Sequence, residues 1–480
     1  MSLDLVYRYR KQRGVNLGSW FVLERWIADA PFRGAAEPGQ SDLDVARGSN
    51  AKQILEEHWD NWVTEGDWQW ISGRGFNAVR IPLGYYHLCG ADPSVLEKTD
   101  FADYYDVFCG AWARVTNAIV SANRYGLGVL IDLHAAPGKQ NNDSHGGTSH
   151  PPAFFKHRHH QTHTIHVLRT LLISVNQFCQ SQSPPLCNVI GIELLNEPHP
   201  PSDDALRSWY ASAISELSRV DPHMPLYIGE CWRPHVYADF VKTLNVPNMV
   251  VLDHHLYRCF TGEDIQTSAM QHARALADPG GGTRQTLGNI HSGVVVGEWS
   301  GALNPGSLLG EHDEKGHFIR AQLDLFENTC AGSFFWTLKK QHPGDGGWGL
   351  YDAVGQNVFP SWVGPRIVRP LTEDPGRDEA RDALCNEAMS RHVQYWDQWP
   401  GDYHHERFAV GFVEGFDDAY FFFTTMASPY GALSEIGFKD ALARRRTNNH
   451  GAGLWEYVHG FSQGADAARS RFAQSCCEGA

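Results

Sequence analysis

At 480 residues, with a formal charge of −15, 42% hydrophobic and 20% charged residues, the chain can bury a large core, and wholesale disorder is excluded. The acidic balance leaves no basic field for a phosphate backbone and no Lys/Arg-rich run overrides it, so nucleic acid is set aside as a partner. No segment approaches the ~20 apolar residues of a membrane span, and the length fits a barrel of ordinary size plus a smaller unit.

The N-terminal stretch MSLDLVYRYRKQRG has no apolar run of signal-peptide length, and the ten cysteines lack a CxxC pair or a zinc-type spacing with His. Both lead to the expectation of a cytoplasmic protein with reduced thiols. Short β-rich runs then appear in order at 14–18, 76–83, 127–134, 189–195, 225–229, 249–257, 293–299 and 332–338, punctuated by Gly, Pro and Asn. Each interval can hold a helix and its loops, a repeated β-then-α rhythm. Runs such as Gly128-Val129-Leu130-Ile131 and Val294-Val295-Val296 are continuously apolar, as expected of parallel strands covered on both faces. Eight such units without a GxGxxG phosphate turn predict an α/β fold of the closed (β/α)₈ TIM-barrel type rather than an open doubly wound sheet.

In such a barrel the chemistry sits where strands end, because the following loops converge there. Polar and aromatic residues fall at that end in six runs: Arg80, Asp132 with His134, Asn196 with Glu197, His255 with Tyr257, Glu298, and Trp336. One Asn-Glu-Pro after a strand reads equally well as a helix start. Six coincidences at one mouth do not, and two of them are carboxylates on strands four and seven, the pair that glycoside cleavage requires. The 16 Trp, 17 Tyr and 24 Phe also suit stacking on sugar rings, although most belong to the core.

The motifs Leu194-Leu195-Asn196-Glu197-Pro198 and Val296-Gly297-Glu298-Trp299 resemble the two signatures of family 5 glycoside hydrolases. Gly14-Val15-Asn16-Leu17-Gly18-Ser19-Trp20-Phe21-Val22-Leu23-Glu24, the segment from Asp132 to Asn141, and Phe335-Trp336-Thr337-Leu338-Lys339 resemble its fungal exo-β-1,3-glucanase branch. The resemblance implies a retaining β-glycosidase without metal or cofactor, with Glu197 as acid/base and Glu298 as nucleophile. It implies further that Arg80 and Tyr257 hold Glu298, that Asn196 binds the sugar 2-hydroxyl, and that His134 and His255 shape the polar floor. Trp336 would form the platform under the sugar, with Glu24 and Trp348 as further sugar contacts. The expected substrate is a β-glucoside or β-glucan oligosaccharide. A steryl or ceramide glucoside is the alternative, and a non-catalytic carbohydrate-binding barrel the alternative of another class.

The chain departs from the secreted glucanases at Asn142-Asp143-Ser144-His145-Gly146-Gly147, so the outer subsites are not carried over. Within 156–166, His159 and His163 stand four apart, a spacing a helix could use for metal, but no carboxylate or cysteine completes a site nearby and a polar helix is expected. Beyond the catalytic barrel (1–365), a Pro- and charge-rich passage predicts a linker at 366–390. A mainly helical C-terminal extension follows at 391–480, with helices over 392–423, 438–449 and 454–472. The extension resembles one found in non-secreted fungal relatives, and its role is open between a brace, a wall of the substrate mouth and a partner surface.

Overall fold

The computed structural model describes residues 1–290, 293–369, 374–425, 430–448 and 451–477. The chain divides into two compact units. One comprises Arg13–Ile71 and Asn77–Ser361, the other Met1–Gln12, Ser72–Phe76 and Trp362–Ala480.

The larger unit is a closed barrel of eight parallel strands in sequence order: β1 (Gln12–Asn16), β2 (Ala78–Gly84), β3 (Gly128–Ala135), β4 (Val189–Glu193), β5 (Leu226–Gly229), β6 (Val250–Leu256), β7 (Val294–Trp299) and β8 (Gly332–Phe335). Each overlaps an expected run. All but Ser333 of β8 are buried along their length, because helices such as Ala111–Arg124, Arg158–Ser181, Asp203–Val220 and Glu314–Thr329 cover the outer face while side chains fill the inside. The β4 strand ends at Glu193, short of the expected residue 195, although Leu194 N–H still donates to Tyr227 O (2.9 Å) and Asn196 N–H to Leu133 O (3.1 Å). The backbone is thus still held where the Asn-Glu pair begins. On the helix Arg158–Ser181 the rings of His163 and His166 are paired with Val95 O (2.8 Å) and Ser94 Oγ (2.8 Å), an ordinary helix-packing role.

Ladder irregularities cluster at the strand ends that carry chemistry. The register between β6 and β7 shifts at His254/His255, and that between β7 and β8 shifts between Val296 and Trp299. A bulge re-aims the side chains that follow it, here His255 and Glu298. Gly297, between them, has no room for a side chain: a Cβ there would lie 2.0 Å from Asp253 Oδ1.

The smaller unit departs from the expected boundaries in two ways. Residues 1–12, expected in the 1–365 domain, group with it: the helix Leu3–Tyr9 buries Val6, Tyr7 and Tyr9, Tyr9 O accepts from Gly437 N–H (2.9 Å), and Lys11 N–H donates to Glu435 O (2.7 Å). The expected linker 366–390 becomes helix from Arg377 onward (Arg377–Trp396). Asp378 and Glu379 lie in the first turn of that helix, where they favour its N-terminus. Its charge-rich composition hid the helix; residues 370–373 of that passage lie outside those described. The run expected as one helix over 392–423 is interrupted after Trp396 and resumes as His405–Thr425, past Pro400-Gly401; Lys439–Arg446 and Leu454–Cys476 follow.

Helices His405–Thr425 and Leu454–Cys476 meet through small residues on both sides. A Cβ on Gly411, Gly415, Gly460 or Gly464 would come within 2.0–2.1 Å of a backbone carbonyl oxygen of the facing helix, so only glycine permits this approach. Glu456, fully buried, ties three segments together: Oε1 accepts from His404 N–H (2.5 Å), and Oε2 receives His392 Nε2 (2.8 Å) and His405 Nδ1 (2.9 Å). Among the described residues no helix is long and apolar enough to cross a membrane.

Burial alone would raise the carboxyl pKa of Glu456, but the hydrogen bonds from His392, His404 and His405 hold it below its ordinary value. A depressed folded-state pKa contributes stability that is present above the unfolded value near 4.5 and is lost as pH falls through the folded value. Replacing Glu456 with Gln is expected to destabilise by about 3–5 kcal/mol at neutral pH. Melting curves of wild type and variant should converge as the pH falls below the ordinary carboxylate value; a gap independent of pH would reject the ionic role.

Candidate active site

A cavity of about 1360 Å³ opens at the C-terminal end of the strands, with Glu24, Glu197, His255, Tyr257, Glu298, Trp336 and Trp348 among its lining residues. Those are seven of the ten residues expected from sequence. The other three, Arg80, His134 and Asn196, are fully buried and line no part of it. They stand behind the lining, where Arg80 engages the Asn196 side chain through its Oδ1 (2.8 Å).

Arg80, from β2, organises this layer. Its Nε donates to Glu193 Oε2 (2.8 Å), Nη1 to Asn16 Oδ1 (3.0 Å) and Glu298 Oε1 (2.9 Å), and Nη2 to Asn196 Oδ1 (2.8 Å), with Asp132 Oδ2 3.1 Å from Nη2. A guanidinium keeps its charge at any working pH and offers a planar fork of donors, which suits it to this position. Glu298 Oε2 accepts from the Tyr257 hydroxyl (2.8 Å). Both oxygens of Glu298 therefore have a donor, and the carboxylate is fixed in rotation as well as in place. The peptide before it is pinned at both ends: Gly297 N–H donates to Asp253 Oδ1 (2.7 Å), and Gly297 O accepts from Asn16 Nδ2 (2.8 Å).

Glu197 is held differently. Its φ of +41° lies in the left-handed region, at a cost of roughly 1–2 kcal/mol for a residue with a Cβ. The loop after β3 stabilises that turn. Asn141 Nδ2 donates to Glu197 O (3.1 Å), and Gln140 Nε2 donates to both Asn196 O (3.0 Å) and His134 O (2.7 Å). The side chain meets His255, whose Nδ1 is 2.8 Å from Glu197 Oε1 and 3.5 Å from Glu298 Oε2, while its Nε2 is 3.6 Å from Asp253 Oδ2. One oxygen of each glutamate and a nitrogen of His255 all lie within 4.8 Å of one another.

Several carboxylates share this space with a single guanidinium, so protons are retained. Burial pushes Asp132 up to about 7 and Glu193 well above the carboxylate range, against the pull of Arg80. Burial would depress His255, but Glu298 and Asp253 hold the imidazole well above its usual value. Burial would also raise Glu197, yet the hydrogen bond and charge of His255 draw it to about 2. In the free site the proton of the Glu197–His255 pair therefore rests on the imidazole. Burial pushes Glu298 up to about 7, opposed by His255, Arg80 and Tyr257. Because donors already occupy both its oxygens, the mobile proton belongs to Glu197 and His255 rather than to Glu298.

Aromatic walls complete the cavity. Trp336 is parallel to the His134 ring at 5.7 Å, and Trp348 is flanked by Trp26 (5.1 Å), Tyr257 (5.4 Å) and Phe260 (6.1 Å). Glu24 is pushed up to about 8 by burial and accepts from Trp26 Nε1 (2.8 Å). Sequence reasoning missed Trp26, Glu193, Asp253 and above all His145, whose Nδ1 is 3.1 Å from His134 Nε2 and whose Nε2 faces Glu197 Oε2 at 3.9 Å. Strand alternation could have found Glu193, the register partner of Asp132, and Asp253, two residues before His255 on the same strand; nothing local marks His145. Triads such as Glu24–His134–His145 and Glu193–Asp253–His255 bring ligand-type atoms within 4.8 Å, but most of these side chains are already engaged by Asp132, Trp26, Arg80 or Glu197. The arrangement handles protons.

Comparison with known proteins agrees with this geometry. The model of the cellulase family (glycosyl hydrolase family 5) matches residues 46–342, and that of the glucan 1,3-beta-glucosidase 3 C-terminal domain matches 377–472. A glucan 1,3-beta-glucosidase 3 of Schizosaccharomyces pombe is 32% identical, over 95% of this chain and 95% of its own. A probable glucan 1,3-beta-glucosidase A of Neosartorya fischeri is 31% identical, over 73% of this chain and 87% of its own. Among solved structures, a rutinosidase from Aspergillus niger shares the fold with a TM-score of 0.59 at 20% identity, over 75% of this chain and 99% of that one. The chain belongs to glycosyl hydrolase family 5.

Proposed function

We propose that the protein is a retaining exo-β-1,3-glucanase or β-glucosidase that cleaves its substrate by double displacement, with Glu298 as nucleophile and Glu197 as acid/base. The observation that carries this reading is the asymmetric holding of the two carboxyls: Glu298 is locked by Arg80 and Tyr257, while Glu197 shares a proton with His255. One oxygen of each carboxyl lies within 4.8 Å of the other's, which supports the close pairing of retaining enzymes, ~5–5.5 Å between carboxyl groups, over the wider separation that leaves room for a water. The glucan substrate is supported by the names of the Schizosaccharomyces and Neosartorya relatives.

In the first step Glu298 attacks the anomeric carbon while Glu197, having taken the proton across its 2.8 Å contact with His255, delivers it to the departing oxygen. Glycosylation removes the charge of Glu298. The acid/base then faces one fewer neighbouring anion, its carboxylate form is favoured, and it takes a proton from the incoming water. Trp336 offers a ring face to the bound sugar. The same carboxyl thus serves both half-reactions because its neighbour changes charge between them.

A second reading, hydrolysis of a glucoside with an apolar aglycone such as a sterol or ceramide, is favoured by the rim: Trp232 and Phe260 line the cavity and are 48% and 69% exposed. A binding-only barrel would call for a broken constellation, and both carboxyls here have their partners.

Wild type is expected to hydrolyse an aryl β-glucoside and laminari-oligosaccharides with first release of the β-anomer, followed by NMR; α-anomer release would refute retention. Glu197→Gln and Glu298→Gln should each lose on the order of 10³-fold or more in turnover. With a dinitrophenyl glucoside, which departs without a proton, Glu197→Gln should still show a burst of released phenol and Glu298→Gln none; equal bursts would contradict the roles. Faster turnover of a glucosylated lipid than of any laminari-oligosaccharide would select the second reading.

Tyr257→Phe removes a donor that lowers the Glu298 pKa. Losing a hydrogen bond to a charged group costs about 1.5–3 kcal/mol, roughly 10- to 100-fold in kcat/KM. Since Glu298 must be ionised, the acidic limb of the pH profile should move to higher pH. A limb that stays in place would show that the hydroxyl does not act on the nucleophile.

A further inference from the structure

His145 stands in the loop after β3, mostly buried beside the acid/base, and the fixed tautomers of its neighbours determine what it presents there. Asp132 Oδ2 lies against a guanidinium N–H of Arg80 (3.1 Å), so it is an acceptor, and the 2.6 Å contact from His134 must be an Nδ1–H donation. Burial and Arg80 push the His134 pKa well below the ordinary imidazole value. The ring is neutral, and its Nε2 carries a lone pair. Asn196 Nδ2 points at that nitrogen (3.5 Å), consistent with an acceptor there. His145 Nδ1, 3.1 Å from the same atom, is then the donor. Burial, with His134 beside it, draws His145 down to about 4; it too is neutral, and its lone pair is on Nε2. Asn141 Nδ2 meets that nitrogen at 3.3 Å, the exposed Asp143 carboxylate faces it at 3.8 Å from the same loop, and Glu197 Oε2 faces it at 3.9 Å.

The geometry points to His145 as a positioning residue for the acid/base: the Asp132–His134–His145 chain aims an acceptor at Glu197 Oε2 and so favours the carboxyl form that donates to the leaving group. The inference rests on the assignment of Glu197 made above and adds the partner of its second oxygen. A lone pair facing a carboxylate repels it, whereas one facing a carboxyl O–H accepts a hydrogen bond once the 3.9 Å gap closes on substrate binding, as loose contacts in free sites do, and displaces the 3.3 Å contact from Asn141 Nδ2, which keeps its bond to Glu197 O. His255 stabilises the ionised form at Oε1, and His145 the protonated form at Oε2. No net proton is gained or lost in this arrangement; the proton already on the Glu197–His255 pair shifts between its two sites.

The sign is testable. Removing the acceptor favours ionised Glu197, so the basic limb of kcat/KM should move to lower pH in His145→Phe, by about one unit. The ratio of rates for a dinitrophenyl over a phenyl β-glucoside should rise about tenfold, because only the phenyl leaving group needs the proton. His145→Gln, whose amide oxygen can stand in for Nε2, should restore both readouts toward wild type. A merely structural role would lower both substrates together and leave the limb in place, and that result, in variants with wild-type melting curves, overturns the inference. A basic limb displaced upward overturns it as well, since it would mean that His145 acts as a cation. The two levels separate cleanly: wild type inactive on every β-glucoside, or Glu197→Gln fully active, defeats the reading of Glu197 and this inference with it. An active wild type, a crippled Glu197→Gln and an unmoved His145→Phe profile defeat the inference alone.

Discussion

A single buried guanidinium underlies the active end of the barrel. Arg80 has no contact with solvent and yet must remain charged, so the fold surrounds it with Glu193, Asp132, Glu298 and the amide oxygens of Asn16 and Asn196. Breaking one such partner leaves a buried charge uncompensated, a loss of about 3–5 kcal/mol, which makes the whole shell mutually dependent. Five strands and the loop after β4 are thereby fixed to one another at the level of the chemistry rather than by the apolar core below it. The same cation sets the proton inventory. Its carboxylate neighbours outnumber it, and burial keeps protons on Asp132 and Glu193 that would leave in water.

That surplus of acidic groups explains why the two catalytic candidates behave differently although both are glutamates in one cavity. Glu298 is a neighbour of Arg80 and has its oxygens claimed; Glu197 lies one step further out, beyond the reach of the guanidinium, and answers to imidazoles instead. Distance from Arg80 thus separates a group that must stay ionised from one that must change state. The backbone supports the same division. Glu298 sits on a strand, between two bulges and against a glycine with no room for a side chain, while Glu197 occupies a left-handed turn held by Gln140 and Asn141.

What the sequence displays is what strand periodicity and chain order carry. All eight strands overlap the expected runs because covered parallel strands are continuously apolar, and the two glutamates were legible because their neighbours Asn196, Pro198, Gly297 and Trp299 mark strand ends. The layer behind them was less visible. Whether Asp253, His254 or His255 faces inward depends on a register shift between the last two, which no local pattern announces. His145 sits in a loop whose course is set by Lys139 Nζ donating to Thr148 O (2.8 Å), a closure invisible in composition. The smaller unit was misjudged at both ends for a related reason. The helix Arg377–Trp396 begins in a charged segment that reads as linker, and residues 1–12 join the unit through backbone bonds to 435–438; contacts at that separation leave no trace in a window of neighbouring residues.

The glycines of that smaller unit were legible in a different sense. They look like breaks in helical runs, and in isolated helices each would cost about 1 kcal/mol relative to alanine. In the fold they lie mid-helix in two facing rows, Gly411 with Gly415 and Gly460 with Gly464, each against a carbonyl of the other helix. Local propensity is given up so that two backbones can meet, and the flanking phenylalanines Phe408, Phe412, Phe416 and Phe461 are buried around the seam. Such a pairing tolerates almost no side-chain growth, which makes this unit a specific structure rather than a loose tail. The barrel chemistry is built on the shell around Arg80, and the helical unit on constraints of its own, the seam and the Glu456 node.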